Sequence, residues 1–273
     1  MLAVGTSGGK LLLVDTTTGV EHMNIMAHDA GKVLGVAVHP DGRMVATAGS
    51  EGTWKLWDLL GRMILCCRGH GTGCSVTSIA FSPCGNVVAT TGRRDGVPKL
   101  WDVRTGLEKW VLEGVTRGDI RDVGPAWTVS FSADGRRLAS GGSLIQVWDL
   151  GMNLYPLVTT IEPRQPPVPI KMEMRTAVLF PDGKRIASGG WGLPPGVRVW
   201  DVAMRSTLVS TLAHHEGLDP ALPRSTCAHA IWWVRAISRS KVDALVPPAQ
   251  LVNFRKGGQP ELLALPGSLA PQP

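Results

Sequence analysis

The chain has 273 residues, including 33 glycines and 20 prolines but only four phenylalanines and one tyrosine. This composition favours short strands joined by tight turns in one large all-β domain, and disfavours a mainly helical protein. The formal net charge is +6, and since no run of about 18 apolar residues occurs, we expect no membrane-spanning segment.

The first residues already have the pattern of a strand. Leu2 to Gly5 follow Met1 directly, so no basic and then apolar leader is seen and no secretory signal is predicted. The five cysteines are an odd number without paired spacing, which disfavours a disulfide framework and predicts a reducing, cytoplasmic location. They are Cys66, Cys67, Cys74, Cys84 and Cys227.

A Trp-Asp pair closes four segments of the chain, at residues 57–58, 101–102, 148–149 and 200–201. A fifth segment ends in Val14-Asp15, and the intervals from Asp15 through Asp58, Asp102, Asp149 and Asp201 are 43, 44, 47 and 52 residues. A period of this length predicts one four-stranded unit repeated along the chain.

Each repeat contains the same succession of predicted strands. The first strand stops at a turn rich in Pro, Asp and Gly, which predicts a tight hairpin into the second strand. These two strands with their turn cover residues 33–49, 76–92, 127–142 and 176–190. The third strand carries the Trp-Asp pair, and a weaker fourth strand follows. Residues 2–6 match a second strand, so the first unit lacks its first strand.

Over residues 1–213 the pattern resembles the WD40-repeat family, as found among bacterial WD40-repeat proteins, whose units form the blades of a β-propeller. The resemblance implies a structural hydrogen-bonded set of His70, Asp95 and Trp101, and blade packing by Trp57, Trp148 and Trp200. The preceding repeat has Ala27-His28 and Glu51 in place of Gly-His and Asp.

The family's network also includes a Ser or Thr. At that position we expect glycine in these repeats, namely Gly49, Gly92, Gly142 and Gly190. With the network mostly lost, we expect apolar packing and ladder hydrogen bonds to hold the blades, with modest stability.

No motif predicts catalysis, a cofactor or a metal. Ser7 lies in a Gly-x-Ser-x-Gly pattern, but the repeat register places it in a hairpin rather than at the strand-to-helix turn that a nucleophile elbow requires. The glycines around His70 resemble part of a dinucleotide loop, but no helix is predicted after them. The seven histidines show no metal-ligand spacing.

Two features suggest contacts with partners. Trp191 lies in the irregular insertion 190–196, where an exposed aromatic could anchor a partner. Basic residues that follow the first hairpins, among them Arg136 and Lys184, could form a ring on one face or could simply be solvated. No aromatic residue interleaves with them, so nucleic acid is an unfavoured partner.

Residues 214–273 predict a degenerate partial repeat and a Pro-rich flexible tail. Residues 232–237 could supply the missing first strand and close a five-bladed ring. The poor hairpin match of residues 239–241 favours an open arc instead, which could self-associate through its unpaired edges.

The sequence therefore predicts a non-catalytic scaffold that binds protein or peptide partners through loops at the propeller rims, with no membrane. One alternative is the C-terminal sensor part of a larger signalling protein, such as a bacterial Ser/Thr kinase. A propeller enzyme is a weaker alternative.

Overall fold

The computed structural model describes residues 1–114, 124–152, 157–161, 173–191, 196–203, 208–213, 251–253 and 261–263, the last three ranges and residues 173, 191 and 196 by their backbone alone. Throughout these ranges the regular structure is β, in antiparallel sheets. Among the residues described there is no helix long and apolar enough to cross a membrane.

Among the residues that the structure describes, the first sheet has three strands, one fewer than the repeat, as the sequence predicts. Its strands are β1 (Leu2–Gly5), β2 (Lys10–Val14) and β3 (Glu21–Met26). They pair in the order β1-β2-β3. Gly9, with a φ of 81°, completes the turn between β1 and β2.

Four complete four-stranded sheets follow, each with its strands in chain order or its reverse. The second contains β4 (Val33–Val38), β5 (Met44–Gly49), β6 (Thr53–Asp58) and β7 (Met63–Arg68). The third contains β8 (Val76–Phe81), β9 (Val87–Gly92), β10 (Pro98–Asp102) and β11 (Glu108–Val111).

The fourth contains β12 (Ala126–Phe131), β13 (Arg137–Gly142), β14 (Ile145–Asp149) and β15 (Leu157–Ile161). The fifth contains β16 (Glu173–Leu179), β17 (Arg185–Trp191), β18 (Gly196–Asp201) and β19 (Leu208–Ala213). We refer to these five sheets as blades 1 to 5.

The aspartate of each Trp-Asp pair organises the turn after the third strand. Asp58 Oδ1 accepts hydrogen bonds from the backbone N–H groups of Leu60 and Arg62, at 2.9 and 2.8 Å. Asp102 accepts from Arg104 and Thr105 in the same way. A short acceptor that binds backbone N–H groups two to four residues onward fixes such a turn, which accounts for the recurrence of Asp.

The first strands of blades 2 to 5 lie side by side at the centre of the array, where polar bonds join consecutive blades. Thr77 Oγ1 donates to the Ala126 carbonyl at 2.7 Å, and Ser130 Oγ accepts from the Leu179 N–H at 3.0 Å. The blades are therefore joined both by these bonds and by apolar faces packed against each other.

The core lies between blades rather than within one. Between blades 2 and 3, Trp54 and Leu56 pack with Val76, Val88 and Trp101. The indole rings of Trp54 and Trp101 are 5.9 Å apart, and Trp54 is fully buried. Because a single four-stranded sheet cannot bury both of its faces, each repeat depends on its neighbours.

The ring is not closed by the residues that the structure describes. Residues 232–237, which the sequence offers as a closing strand, lie outside the described residues, so open arc and closed ring both remain predictions. Two short strands, β20 (Leu251–Asn253) and β21 (Glu261–Leu263), pair with each other in the segment for which a flexible tail is predicted.

Candidate functional site

A buried hydrogen-bonded chain runs through blade 3 and fixes the hairpin between its second and third strands. His70 Nδ1 lies 2.5 Å from Asp95 Oδ2, and His70 Nε2 lies 3.0 Å from Thr90 Oγ1. The indole N–H of Trp101 donates to the same hydroxyl at 2.8 Å. Thr90 is thus the centre of the chain, and the structure joins all three of the residues singled out from the sequence.

Blade 2 contains the same arrangement despite its altered sequence. His28 Nδ1 pairs with Glu51 Oε1, and His28 Nε2 lies 2.8 Å from Thr47 Oγ1. The Trp57 indole N–H donates to Thr47 Oγ1 at 2.9 Å. Glu51 therefore replaces aspartate without loss of the network, contrary to the expectation that blade 2 has little of it.

Burial and hydrogen bonding shift the pKa values of two ionisable groups in the blade 2 network, His28 and Glu51. Burial lowers the pKa of His28, which favours the neutral imidazole. Burial alone would raise the pKa of Glu51, but hydrogen bonds from Thr53 and His28 outweigh it, and its pKa is lowered. The pair is consequently a neutral histidine that donates to a carboxylate.

The prediction that glycine occupies the Ser/Thr position of the network was wrong, because the hydroxyl residue lies two positions before that glycine. The hydroxyl position is occupied by Thr47, Thr90, Ser140 and Ser188, on the second strand of each complete blade. Glycine has another role there. A Cβ on Gly92 would lie 2.7 Å from His70 Nδ1 and against Asp95, so glycine leaves room for the histidine-carboxylate pair.

Blades 4 and 5 retain fewer hydrogen bonds of this network. In blade 5 the Trp200 indole N–H donates to Ser188 Oγ at 2.8 Å. In blade 4 the indole nitrogen of Trp148, buried like the rest of that side chain, has no hydrogen-bond partner in the described part of the chain. The tryptophans thus share one packing position, whereas their hydrogen bonds differ between blades.

The two sequence motifs that resemble catalytic or cofactor-binding motifs lie in turns and connections between strands. Ser7 is exposed in the turn between β1 and β2, and His70 lies in the connection between β7 and β8. Within the described ranges, no three His, Cys, Asp or Glu side chains converge as a metal site would require.

The basic residues after the first hairpins lie among carboxylates. Arg136 is exposed and lies 3.6 Å from Asp149, while Arg185 lies 3.3 Å from Asp182. Lys184 is exposed, and its backbone N–H donates to Asp182. This rim therefore has mixed charge.

Trp191 is the last residue of β17, where its backbone pairs with Glu173. The sequence placed it beyond the strand, and the longer β17 brings it into the ladder. Its side chain and the loop 192–195 lie outside the described residues, so its role as a partner contact remains a prediction.

At the opposite ends of the strands, blades 3, 4 and 5 together form a basic cleft of about 530 Å³. We call it the arginine cleft. Three arginines and one tryptophan dominate its lining, and none of the described lining residues is a carboxylate: Gly73, Ser75, Arg93, Arg94, Pro125, Trp127 and Arg175.

Stacking on Trp127 organises the cleft. The guanidinium carbon of Arg175 lies 3.8 Å from the centre of the indole ring, and that of Arg93 lies 5.4 Å from it. A guanidinium over an aromatic face is attracted by the ring quadrupole, more strongly where water is excluded. Trp127 therefore holds two like charges near each other that would otherwise separate.

A repeated β-bulge places two of these side chains. In each complete blade the pairing of the first two strands skips one residue, and the skipped residues are Leu34, Thr77, Trp127 and Arg175. A bulge turns its extra residue out of the regular alternation. Trp127 and Arg175 thus occupy equivalent positions on neighbouring blades, which brings them into contact.

The two remaining arginines lie on the hairpin that the histidine network fixes. Five residues separate Gly92 from Pro98, whereas four separate the equivalent Gly49 and Trp54 of blade 2. The Arg93 N–H donates to the Ser75 carbonyl at 3.0 Å. The Arg94 N–H donates to the buried Cys74 thiol at 3.2 Å. Both backbones are therefore held in place.

Sequence reasoning missed this cleft. Arg93 and Arg94 stand in an unusual position, between the second strand and Asp95, and Trp127 is aromatic where the equivalent residues of blades 2 and 3 are Leu34 and Thr77. Those signals are visible in the repeat alignment. That Arg175 joins them from another blade follows only from the packing of the first strands.

Comparison with known proteins agrees with the fold. The model of the WD domain, G-beta repeat, matches residues 19–58 and 61–102. The chain is 29% identical over 206 residues to Denticleless protein homolog B of Xenopus laevis, which covers 63% of this chain and 28% of that protein. It is 31% identical over 206 residues to the Denticleless protein homolog of Xenopus tropicalis, with the same coverage of both chains.

A third relative is Pre-mRNA-processing factor 19 of Oryza sativa, which is 32% identical over 121 residues, covering 44% of this chain and 21% of that protein. All three relatives are WD-repeat proteins. The chain spans little more than a quarter of the length of the Denticleless proteins that it matches.

Proposed function

Because this chain is a WD40-repeat protein, we propose that it is a non-catalytic scaffold that binds a protein or peptide partner through one rim of its blades. WD40-repeat relatives are in general scaffolds of this kind. Fold alone does not fix function, so the proposal also needs a site.

The arginine cleft is the single observation that carries the proposal. It combines an aromatic residue with arginines, the residue types that dominate binding energy at protein interfaces. It is formed by three consecutive blades on fixed backbone. A site on rigid elements loses little conformational entropy when a partner binds.

Affinity capture from a lysate of the source organism tests the proposal. The wild-type chain is compared with an Arg93→Ala/Arg94→Ala variant. A matched control, Arg136→Ala/Lys184→Ala, removes the same number of positive charges from the opposite rim, and Trp191→Ala tests the insertion predicted from the sequence.

We expect a partner that is captured by the wild type and the rim control and lost with the cleft variant. Since Arg93, Arg94, Arg136 and Lys184 are all exposed, each double variant should melt near the wild type. Reproducible capture of no partner by folded wild-type protein would contradict the scaffold proposal. Loss only in the rim control or in Trp191→Ala would contradict the assignment to the cleft.

We also propose a cytoplasmic location. Its support is the odd cysteine count of the sequence, together with the free thiols of Cys66, Cys67, Cys74 and Cys84 in the structure. A fluorescent fusion of the full-length protein, imaged in cells of the source organism, tests this location.

A further inference from the structure

We infer that the arginine cleft takes an anionic peptide segment, one that carries phosphorylated or closely spaced carboxylate side chains. This inference rests on the proposed scaffold function and adds the chemical class of the ligand.

Two arginines give the cleft its positive charge at the surface. Arg93 and Arg94 are exposed, and within the part of the chain that the structure describes neither forms an ion pair with a carboxylate. Their neighbour Asp95 forms an ion pair with neither of them within the described residues, and its carboxylate is hydrogen-bonded to His70. Arg93 and Arg94 therefore carry positive charges that no described carboxylate pairs with.

The opposite rim makes a useful contrast. There, Arg136 and Arg185 lie within 4 Å of the carboxylates of Asp149 and Asp182. Both rims carry basic residues, but the described residues that line the arginine cleft include no carboxylate. An anionic ligand is thus attracted to one rim, although the net charge of +6 belongs to the whole chain.

The guanidinium groups of the cleft also have the donor geometry that suits an anionic group. A guanidinium presents a planar fork of N–H donors that matches the paired oxygens of a carboxylate or phosphate group. The guanidinium carbons of Arg93 and Arg175 lie over the Trp127 ring, 5.4 and 3.8 Å from its centre. The attraction of Arg93 to the ring is electrostatic and uses none of its N–H hydrogen bonds, so its donors remain for a ligand.

The shape of the cleft favours a peptide over a nucleic acid. Its volume of about 530 Å³ accommodates a few side chains of a ligand. Trp127 is the one aromatic side chain among the described lining residues, and Arg175 lies over its ring, so that face is not open for stacking with a base.

Arrayed peptides test the inference directly. Purified full-length protein is applied to an array with peptides of varied sequence in three matched forms, phosphoserine, glutamate and serine at the same positions. The tightest peptides are then titrated by fluorescence anisotropy, alongside a labelled single-stranded oligonucleotide. The phosphoserine and glutamate arms distinguish the two sources of negative charge.

We expect one or both anionic forms to bind and the serine form to bind at least about tenfold more weakly, since a charge-assisted hydrogen bond contributes about that factor. Arg93→Gln/Arg94→Gln should weaken the anionic peptide by about tenfold or more. Arg136→Gln/Lys184→Gln should leave it within about twofold. Raising the salt concentration should weaken binding as well.

Arg175→Lys adds a check on geometry, since it keeps the charge and loses the planar stack. Weaker binding of the anionic peptide to this variant is expected. Equal binding of serine and anionic forms, equal loss in both double variants, or tighter binding of the oligonucleotide would each overturn the inference. If affinity capture still finds a partner that depends on Arg93 and Arg94, the scaffold proposal survives that result.

Discussion

Replacing Thr90 with valine should destabilise blade 3 through its hydrogen bonds and not through its packing. The two side chains have nearly the same shape, but valine has no hydroxyl. In the wild type that hydroxyl lies 3.0 Å from His70 Nε2 and accepts the Trp101 indole N–H at 2.8 Å. Thr90 is fully buried, so water cannot replace either partner.

The magnitude follows from counting the groups that lose their partner. With His70 donating through Nδ1 to Asp95, its Nε2 is an acceptor, and Trp101 is a donor; each costs about 1 to 3 kcal/mol when buried and unsatisfied. Burying an added methyl group offsets about 0.8 kcal/mol. The free energy of unfolding should fall by about 1 to 5 kcal/mol, and a loss near 3 kcal/mol would lower Tm by roughly 6 to 12 °C.

Urea unfolding followed by tryptophan fluorescence, together with calorimetry, measures the effect. Thr90→Ser is the matched control, because it keeps the hydroxyl and loses only a methyl group, at a cost of about 1 kcal/mol. A valine variant as stable as the wild type, or a serine variant as damaged as valine, would refute the reasoning that the hydroxyl is the centre of a stabilising chain.

Three further predictions concern the same network. Ser188→Ala should lower the free energy of unfolding by about 1 to 3 kcal/mol because it orphans the indole of its blade, whereas Ser140→Ala, where that hydrogen bond is absent, should cost less; equal urea midpoints would contradict this. Gly92→Ala should lower Tm by several degrees through its clash with the histidine-carboxylate pair, while Gly71→Ala, with open space around its Cβ, should not. The pKa of Glu51 is lowered in the folded state, so its carboxylate stabilises the fold fully above its ordinary pKa of 4.5, and this contribution is lost as pH falls through the lower folded pKa. The loss of stability caused by Glu51→Gln at pH 7 should therefore become smaller below about pH 4.5, as measured by urea unfolding at several pH values. A loss that does not change with pH would show that the charge of Glu51 is not involved.

The repeat architecture was readable from the sequence because its causes are local. Tight turns need glycine and aspartate at fixed places, and the Trp-Asp pair marks the end of the third strand in blades 2 to 5. The strands of blades 2 to 5 accordingly lie where the period places them, and within the described residues blade 1 has three strands, without the first, as predicted.

Only the tertiary structure determines which residues distant in sequence contact each other. Glu51 replaces aspartate because its longer side chain still reaches His28, and Gly92 is required by a pair that arrives from two other segments. The arginine cleft depends on three blades, since Trp127 meets Arg93 and Arg175 only when the first strands pack side by side. Periodicity specifies each blade from its own residues, but contacts between blades depend on which bulged residues become neighbours, and no local pattern encodes that.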